Sequence, residues 1–192
     1  MERKTIQEDI RKACDVLRNG GIILYPTDTI WGIGCDATNE EAVKRIYDLK
    51  QRDDSKSMLV LLDNPVKLQY YVADVPEITW DLIELTDRPL TIIYEGARNL
   101  AHNLIAADGS VGIRITEEFF SRELCKQFRK PIVSTSANIS GAPTPSRFTQ
   151  IAREIKEGVD YVVACRQQEQ TETKPSGIIR LGRNGTIQII RK

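Results

Sequence analysis

The stretch IILYPTDT, from Ile22 to Thr29, joins a short apolar run to a turn of small polar residues. Four apolar residues in succession predict a buried strand, and Pro26 ends it because proline cannot donate to the hydrogen-bond ladder. Ligands of α/β proteins bind at the carboxyl ends of such strands, which is where Thr27 and Thr29 lie. A turn capped by Asp and Thr side chains is the alternative explanation of the same residues.

Outside this stretch, predicted helices alternate with predicted strands, and Thr38 with Glu41 resembles a capping box. Asn184-Gly185 lies between two apolar runs and predicts a terminal hairpin. The alternation predicts an α/β class with a largely covered sheet. Helices are expected at residues 6–17, 38–50, 78–85, 119–128 and 148–155, and strands at residues 22–25, 58–62, 91–94, 111–115, 131–133 and 161–164.

The composition is that of a globular chain whose charge does not select a partner. The 192 residues fit one domain, 1–192, and Lys plus Arg balance Asp plus Glu at 27 each, so nucleotide or RNA binding requires a local basic patch. The cysteines form no C-x-x-C pair and His102 is the single histidine, so we expect no protein-bound metal. Without an apolar leader or a run of about 18 apolar residues, we expect a cytoplasmic protein that does not enter the membrane.

Two basic residues, Lys50 and Arg52, follow the helix predicted over residues 38–50. In an extended chain residues i and i+2 lie on the same side, so the two cations are expected to converge. Such a pair is stabilised when an anion, for example a triphosphate, lies between the two groups. The alternative is that both are solvated surface side chains that pair with Asp53 and Asp54.

A second polar run, STSANISG from Ser134 to Gly141, follows another apolar strand. Its hydroxyl and amide groups suit the binding of a phosphate or a base edge, and a plain Ser/Asn-rich loop is the alternative. Arg114 lies inside a strand, where a charge is costly unless it is paired, so it is a candidate clamp for a carboxylate; exposure on an edge strand is the alternative. The sequence has no Walker A loop and no G-x-G-x-x-G motif.

Five motifs follow one another along the chain: YPTDTIWGIGCDA from Tyr25, KxR at Lys50, PLT from Pro89, SVGIRI from Ser110 and STSANISG from Ser134. In this order, the motifs resemble those of the YrdC/YciO family of threonylcarbamoyl-AMP synthases. The resemblance implies a YrdC-like α/β domain with a twisted mixed sheet, helices packed on it and a concave basic groove. It implies formation of threonylcarbamoyl-AMP and pyrophosphate from L-threonine, bicarbonate and ATP for the N6-threonylcarbamoyladenosine of tRNA.

The resemblance also implies roles for individual residues. Lys50 and Arg52 would be catalytic and stabilise charge on the phosphoryl oxygens. Mg²⁺ would arrive with ATP, and a tRNA threonylcarbamoyl transferase complex would take the product, with RNA as a further contact. Five residues would bind threonine, with its carboxylate on Arg114: Thr27, Thr29, Arg114, Ser136 and Ser176. Six would bind ATP: Lys50, Arg52, Ser110, Asn138, Ser146 and Arg191.

The chain departs from the family pattern at several positions. Ser57 and Leu61 stand where many members have proline and histidine, and Lys56 stands where asparagine is common. Trp31 replaces a tyrosine, PGPLT reads DRPLT, and the late STVVD motif reads SGIIR at residues 176–180. The first three departures concern the threonine side of the implied site.

Two other functions stay open from the sequence. A YciO-type relative would bind nucleotide or RNA in a basic groove without making the adenylate. A carbamoyl-adenylate former would resemble one domain of the hydrogenase maturation carbamoyltransferases, which carry zinc-finger and acylphosphatase segments that this sequence lacks. The full set of Lys50, Arg52, Ser136 and Asn138 favours the synthase over the YciO branch.

Overall fold

Helices and strands alternate along the chain, which the computed structural model describes over residues 3–53, 57–170 and 174–192. The helices are α1 Arg3–Arg18, α2 Glu40–Lys50, α3 Leu68–Tyr71, α4 Ile78–Leu85, α5 Phe119–Phe128 and α6 Arg153–Gly158. The strands are β1 Ile23–Tyr25, β2 Gly32–Gly34, β3 Leu59–Leu62, β4 Leu90–Tyr94, β5 Val111–Ile115, β6 Ile132–Ser136, β7 Tyr161–Val162, β8 Gly177–Leu181 and β9 Ile187–Arg191.

All of the described strands belong to one mixed sheet in the order β7-β1-β2-β6-β3-β5-β4-β8-β9. The pairs β1–β7, β3–β5 and β4–β8 are parallel, and the other neighbours are antiparallel. The mixed α/β class expected from the sequence is therefore confirmed. The terminal hairpin of β8 and β9 is also confirmed, with Gly185 in the left-handed region at φ 78°.

Helix α1 shows how the local sequence produces this packing. Its apolar residues recur at helical spacing, so one face is buried, including Ile10 and Leu17. That face packs on α5, where the Cys14 thiol donates to the carbonyl oxygen of Leu124. Gly20, at φ 74°, ends the helix in the left-handed conformation that glycine adopts without steric cost.

Strand β2 was not expected, because glycine is uncommon in strand interiors. Its Gly-Ile-Gly sequence is required by close packing against β1 and β6. A Cβ at Gly34 would lie 2.5 Å from the Val133 carbonyl oxygen and 2.6 Å from Cε1 of Tyr25. The glycine therefore permits an approach that no side chain would allow.

Two local expectations are wrong. The N-cap of α2 is Asn39, whose side chain accepts from the Ala42 amide at 3.1 Å, while Thr38 donates to Asp36 instead. The helix expected over residues 148–155 is a 3₁₀ turn, Phe148–Gln150, followed by α6. The chain turns between them at Ile151, whose ψ of 127° is extended. No helix among the described residues is long and apolar enough to cross a membrane.

Candidate active site

One face of β4, β5 and β8 lines a cavity of about 320 Å³. Side chains two residues apart in a strand point to the same face, which explains the pattern of the lining. The β6 segment and the turn after β1 complete the wall. The sheet face contributes Thr91, Ile93, Ser110, Gly112, Arg114, Ser176, Ile178 and Arg180, and the wall includes Thr29, Ile30, Ser134, Thr135 and Ser136.

The cavity brings together residues that are far apart in the sequence. Seven of the site residues predicted from the sequence line it: Thr29, Arg52, Ser110, Arg114, Ser136, Ser176 and Arg191. Thr27 and Ser146 line a small neighbouring recess instead. Lys50 and Asn138 lie behind the wall formed by β6.

The charge of the lining is positive. Among the described residues it contains four arginines, Arg52, Arg114, Arg180 and Arg191, and no carboxylate. Burial lowers the pKa of Arg191, and the nearby charge of Arg114 lowers it further. Arg114 and Arg191 therefore repel each other, and an anion bound between them would relieve the repulsion, so the cavity suits an anionic ligand.

Arg114 is nearly inaccessible and its charge is balanced from outside the cavity. Its Nη2 lies 2.9 Å from Oδ1 of Asp28, and the two side chains are 3% and 12% exposed. Burial raises the pKa of Asp28, and Arg114 opposes that rise. The Nε–H of Arg114 is buried and has no hydrogen-bond partner within the described part of the chain, so the hydrogen-bonding capacity of this cation is not fully used.

Thr27 shapes the turn that presents Thr29 to the cavity. The Thr27 hydroxyl donates to the carbonyl oxygen of Ile30 at 2.8 Å and accepts from the Thr29 amide at 3.1 Å. The two hydroxyl oxygens are 3.1 Å apart. Because the single hydroxyl proton of Thr27 goes to Ile30, the Thr29 hydroxyl is the donor between them. Thr27 is thus placed to act through Thr29.

Lys50 does not lie beside Arg52 in an extended chain. Gln51 has φ 48° and ψ 42°, which is left-handed, so the extended geometry expected there is wrong. The Lys50 side chain is 1% exposed, and its Nζ donates to the carbonyl oxygens of Ser136 and Asn138. Burial lowers the pKa of Lys50 to about 8, and the charge of Arg52 adds to the effect.

Comparison with known proteins identifies the family. Residues 15–192 match the family model Sua5_yciO_yrdC, described as telomere recombination. The chain belongs to the Sua5/YciO/YrdC family. It is 33% identical over 160 residues to the threonylcarbamoyl-AMP synthase of Pseudoalteromonas translucida, and the aligned region covers 82% of this chain and 86% of that protein. It is 34% identical over 190 residues to a putative threonylcarbamoyl-AMP synthase of Methanocaldococcus jannaschii, and the aligned region covers 98% of this chain and 86% of that protein.

Solved structures of the Sua5/YciO/YrdC family have the same fold. P. abyssi Sua5 complexed with L-threonine matches with a TM-score of 0.80 at 26% identity, over 90% of this chain and 50% of that chain. This chain therefore spans half of the Sua5 chain. E. coli YciO matches with a TM-score of 0.83 at 24% identity, over 97% of this chain and 89% of that chain. The YrdC-like α/β fold implied by the sequence motifs is confirmed.

Two departures from the family pattern now have structural positions, and a third, Lys56, lies outside the described residues. Ser57 lines the cavity, and its carbonyl oxygen accepts from Nη2 of Arg52 at 3.0 Å. Leu61 is completely buried in the core, does not line the cavity, and offers only its backbone carbonyl to the Cys125 thiol. The position of the family histidine is therefore apolar interior in this chain.

The remaining predicted residues hold the loop after β6. Nδ2 of Asn138 donates to the carbonyl oxygen of Ala142 at 2.7 Å, and the Ser146 hydroxyl donates to Oε1 of Gln150 at 3.0 Å. Sequence reasoning missed Arg180 as a site residue. The two-residue spacing from Ser176 through Ile178 would have placed it on the same face.

Proposed function

We propose that this chain forms threonylcarbamoyl-AMP and pyrophosphate from L-threonine, bicarbonate and ATP. The observation that carries the proposal is the cavity lined by four arginines, with no carboxylate in its described lining. The threonine carboxylate, bicarbonate and the triphosphate are all anions that such a lining would bind. Relatives named threonylcarbamoyl-AMP synthase, matched over most of the chain, supply the identity of the reaction.

We place threonine at the end of the cavity that contains Arg114. The guanidinium would take the carboxylate, because Arg114 is a cation in the cavity lining. The hydroxyls of Thr29, Ser136 and Ser176 would contact the rest of the amino acid, with Thr27 holding Thr29 in place. The Ser176 hydroxyl lies 2.9 Å from that of Thr91, which would fix its orientation.

We place ATP against Arg52, Ser110 and Arg191. Nε of Arg191 donates to the Ser176 carbonyl oxygen at 2.9 Å. The residue proposed for ATP and the residue proposed for threonine are therefore in direct contact. The proposed ATP contacts of Asn138 and Ser146 require exchange of the hydrogen bonds that both make within the loop after β6.

The reaction needs no protein nucleophile. The threonine amine adds to bicarbonate with loss of water and gives N-carboxy-threonine. Its carboxylate oxygen attacks the α-phosphorus, the bond to the bridging oxygen breaks, and pyrophosphate leaves with the electron pair. Arg52 would stabilise the charge on the phosphoryl oxygens, while Lys50 would act through the carbonyl oxygens of the loop that it holds.

The same proposal covers cofactor, partner and location. Mg²⁺ would be bound by the ATP phosphates, because the described residues include no group of three or more His, Cys, Asp or Glu that could hold a metal ion. The mixed anhydride product is prone to hydrolysis, so a tRNA threonylcarbamoyl transferase complex in the cytoplasm would consume it. Direct contact with RNA stays a prediction.

Pyrophosphate release tests the proposal. We expect release only when ATP, bicarbonate and L-threonine are all present. Serine lacks one methyl group, which is worth about 1 to 3 kcal/mol in a fitted pocket, so it should be a slower substrate. Nucleotide binding without threonine-dependent release would contradict the synthase and favour a YciO-type binding protein.

A further inference from the structure

Arg180 projects from β8 into the same cavity and is not among the residues placed against threonine or ATP. It lies two residues beyond Ile178 on the face that lines the cavity, opposite Ile93 of β4 in the sheet register. Its side chain is 32% exposed. The guanidinium is therefore supported by the sheet and open to a ligand.

A second residue fixes the direction of this guanidinium. Oδ2 of Asp108 lies 2.9 Å from Nη1 of Arg180, and Nη2 donates to the Ser110 hydroxyl at 3.4 Å. Asp108 also accepts from the Ser110 amide at 3.1 Å and from its hydroxyl. Hydrogen bonds from Ser110 lower the pKa of Asp108, and Arg180 contributes to the same shift. The carboxylate stays ionised outside the lining while the guanidinium faces the cavity.

The sequence makes the charge at this position unusual. The resemblance gives the late motif as STVVD, and this chain reads SGIIR, so Arg180 stands at the position of the motif's aspartate. A carboxylate at that position would repel a polyphosphate, whereas a guanidinium would bind it through paired hydrogen bonds. The lining thus carries a cation that the family motif does not supply.

We propose that Arg180 is a phosphate-binding residue, and that Asp108 positions it. The identity of the ligand as ATP rests on the proposed function, since Ser110, which bonds to Arg180, belongs to the proposed nucleotide end. Binding of an inorganic polyphosphate at Arg180 can be measured without catalysis.

Calorimetric affinities for ATP, AMP and inorganic tripolyphosphate test the assignment. We expect R180A and R180Q each to lower the affinity for ATP and for tripolyphosphate about tenfold. The affinity for AMP should change less than about threefold, because AMP lacks the outer phosphates. The matched control is R183A: Arg183 lies on the same hairpin, is 64% exposed, pairs with Glu95 and does not line the cavity. The KM for L-threonine should not change.

The outcomes separate the two proposals. Tripolyphosphate binding that R180A weakens supports Arg180 even if no adenylate forms, in which case only the proposed function fails. Loss of ATP affinity without loss of tripolyphosphate affinity, or affinities of R180A and R180Q within twofold of the unmodified protein, would overturn the phosphate contact. If Asp108 acts by positioning Arg180, D108A should lower the affinity for ATP only while Arg180 is present. Additive losses of ATP affinity in the D108A/R180A variant would therefore overturn the positioning role.

Discussion

The Lys50 side-chain nitrogen donates a 2.6 Å hydrogen bond to the carbonyl oxygen of Asn138, 88 residues further along the chain. The Ser140 amide returns a bond of 2.8 Å to the Lys50 carbonyl oxygen. The last residue of α2 and the loop after β6 are therefore fastened to each other from both sides. This explains physically why the KxR and STSANISG segments form one unit at the cavity wall.

Replacement of Lys50 by methionine should destabilise the fold. K50M keeps most of the side-chain volume but leaves the Asn138 carbonyl oxygen without its buried donor, and the Ser136 carbonyl oxygen with the Asn138 amide alone. The loss should cost about 1 to 3 kcal/mol. Urea unfolding measures the loss. K44M is the control, since Lys44 is exposed on the same helix and pairs with Asp48. Equal stability of the two variants would contradict a holding role for Lys50.

The same lysine predicts a rise of stability with pH. Its pKa is about 8 in the folded chain against an ordinary 10.5, so between these values the unfolded chain holds a proton that the folded chain has lost. The free energy of unfolding contributed by Lys50 should therefore rise from about pH 8 to 10.5 and fall as the pH drops back through 8. A neutral amine has two N–H groups and still donates to both carbonyls.

Comparison of the unmodified protein with K50M isolates the contribution of Lys50 titration to stability. Burial raises the pKa of the cysteine thiols, to about 11 for Cys14 and Cys165, and these groups lower stability as the pH rises. They are present in both proteins, so the stability difference between unmodified protein and K50M should widen from pH 8 to 10. A constant difference would show that Lys50 titrates normally.

Arg52 should affect turnover without affecting the fold. R52A removes a guanidinium from the cavity wall, where charge would develop on the phosphoryl oxygens, so we expect turnover to fall about a hundredfold with little change in Tm. R153A, at a residue whose side chain is 86% exposed, is the control. Turnover of R52A within about threefold of the unmodified protein would instead make Arg52 an ordinary surface charge.

Regular elements were predictable because their periodicity is local. Helices α4 Ile78–Leu85 and α5 Phe119–Phe128 begin and end where the apolar spacing placed them. Strand β2 was missed because its glycines respond to packing against Tyr25 and Val133, which the local sequence does not encode. Strand propensity therefore fails to predict a strand where close packing of neighbouring backbones requires glycine.

The members of the candidate site were easier to predict than their geometry. Motifs identified seven of the residues that line the cavity, but the direction of Lys50 depends on a left-handed Gln51 and on carbonyl groups from another segment. Arg180 was missed because its significance depends on Asp108, which is distant in the sequence. Long-range partners, and not residue type, decide which charge reaches a ligand.

Leu61 provides a test of the departure from the family histidine. Because Leu61 is completely buried in the core, L61H would place a polar ring where the side chain finds no water, and we expect a loss of about 2 to 5 kcal/mol. L61M, which conserves volume, should cost less than about 1.5 kcal/mol. A stable L61H variant with a lower KM for threonine would show that this position faces the amino acid after all.

The buried pair of Arg114 and Asp28 allows a test of where the threonine carboxylate binds. D28N removes the charge that balances Arg114, and an uncompensated buried guanidinium should lower the free energy of unfolding by roughly 3 kcal/mol. If the substrate carboxylate also binds Arg114, saturating L-threonine should raise the Tm of D28N more than that of the unmodified protein. L-Threoninamide, which lacks the negative charge, should not. D63N breaks the pair of Asp63 and Lys67 and is the matched control, which threonine should not rescue. Equal rescue by threonine and threoninamide would place the carboxylate elsewhere in the cavity.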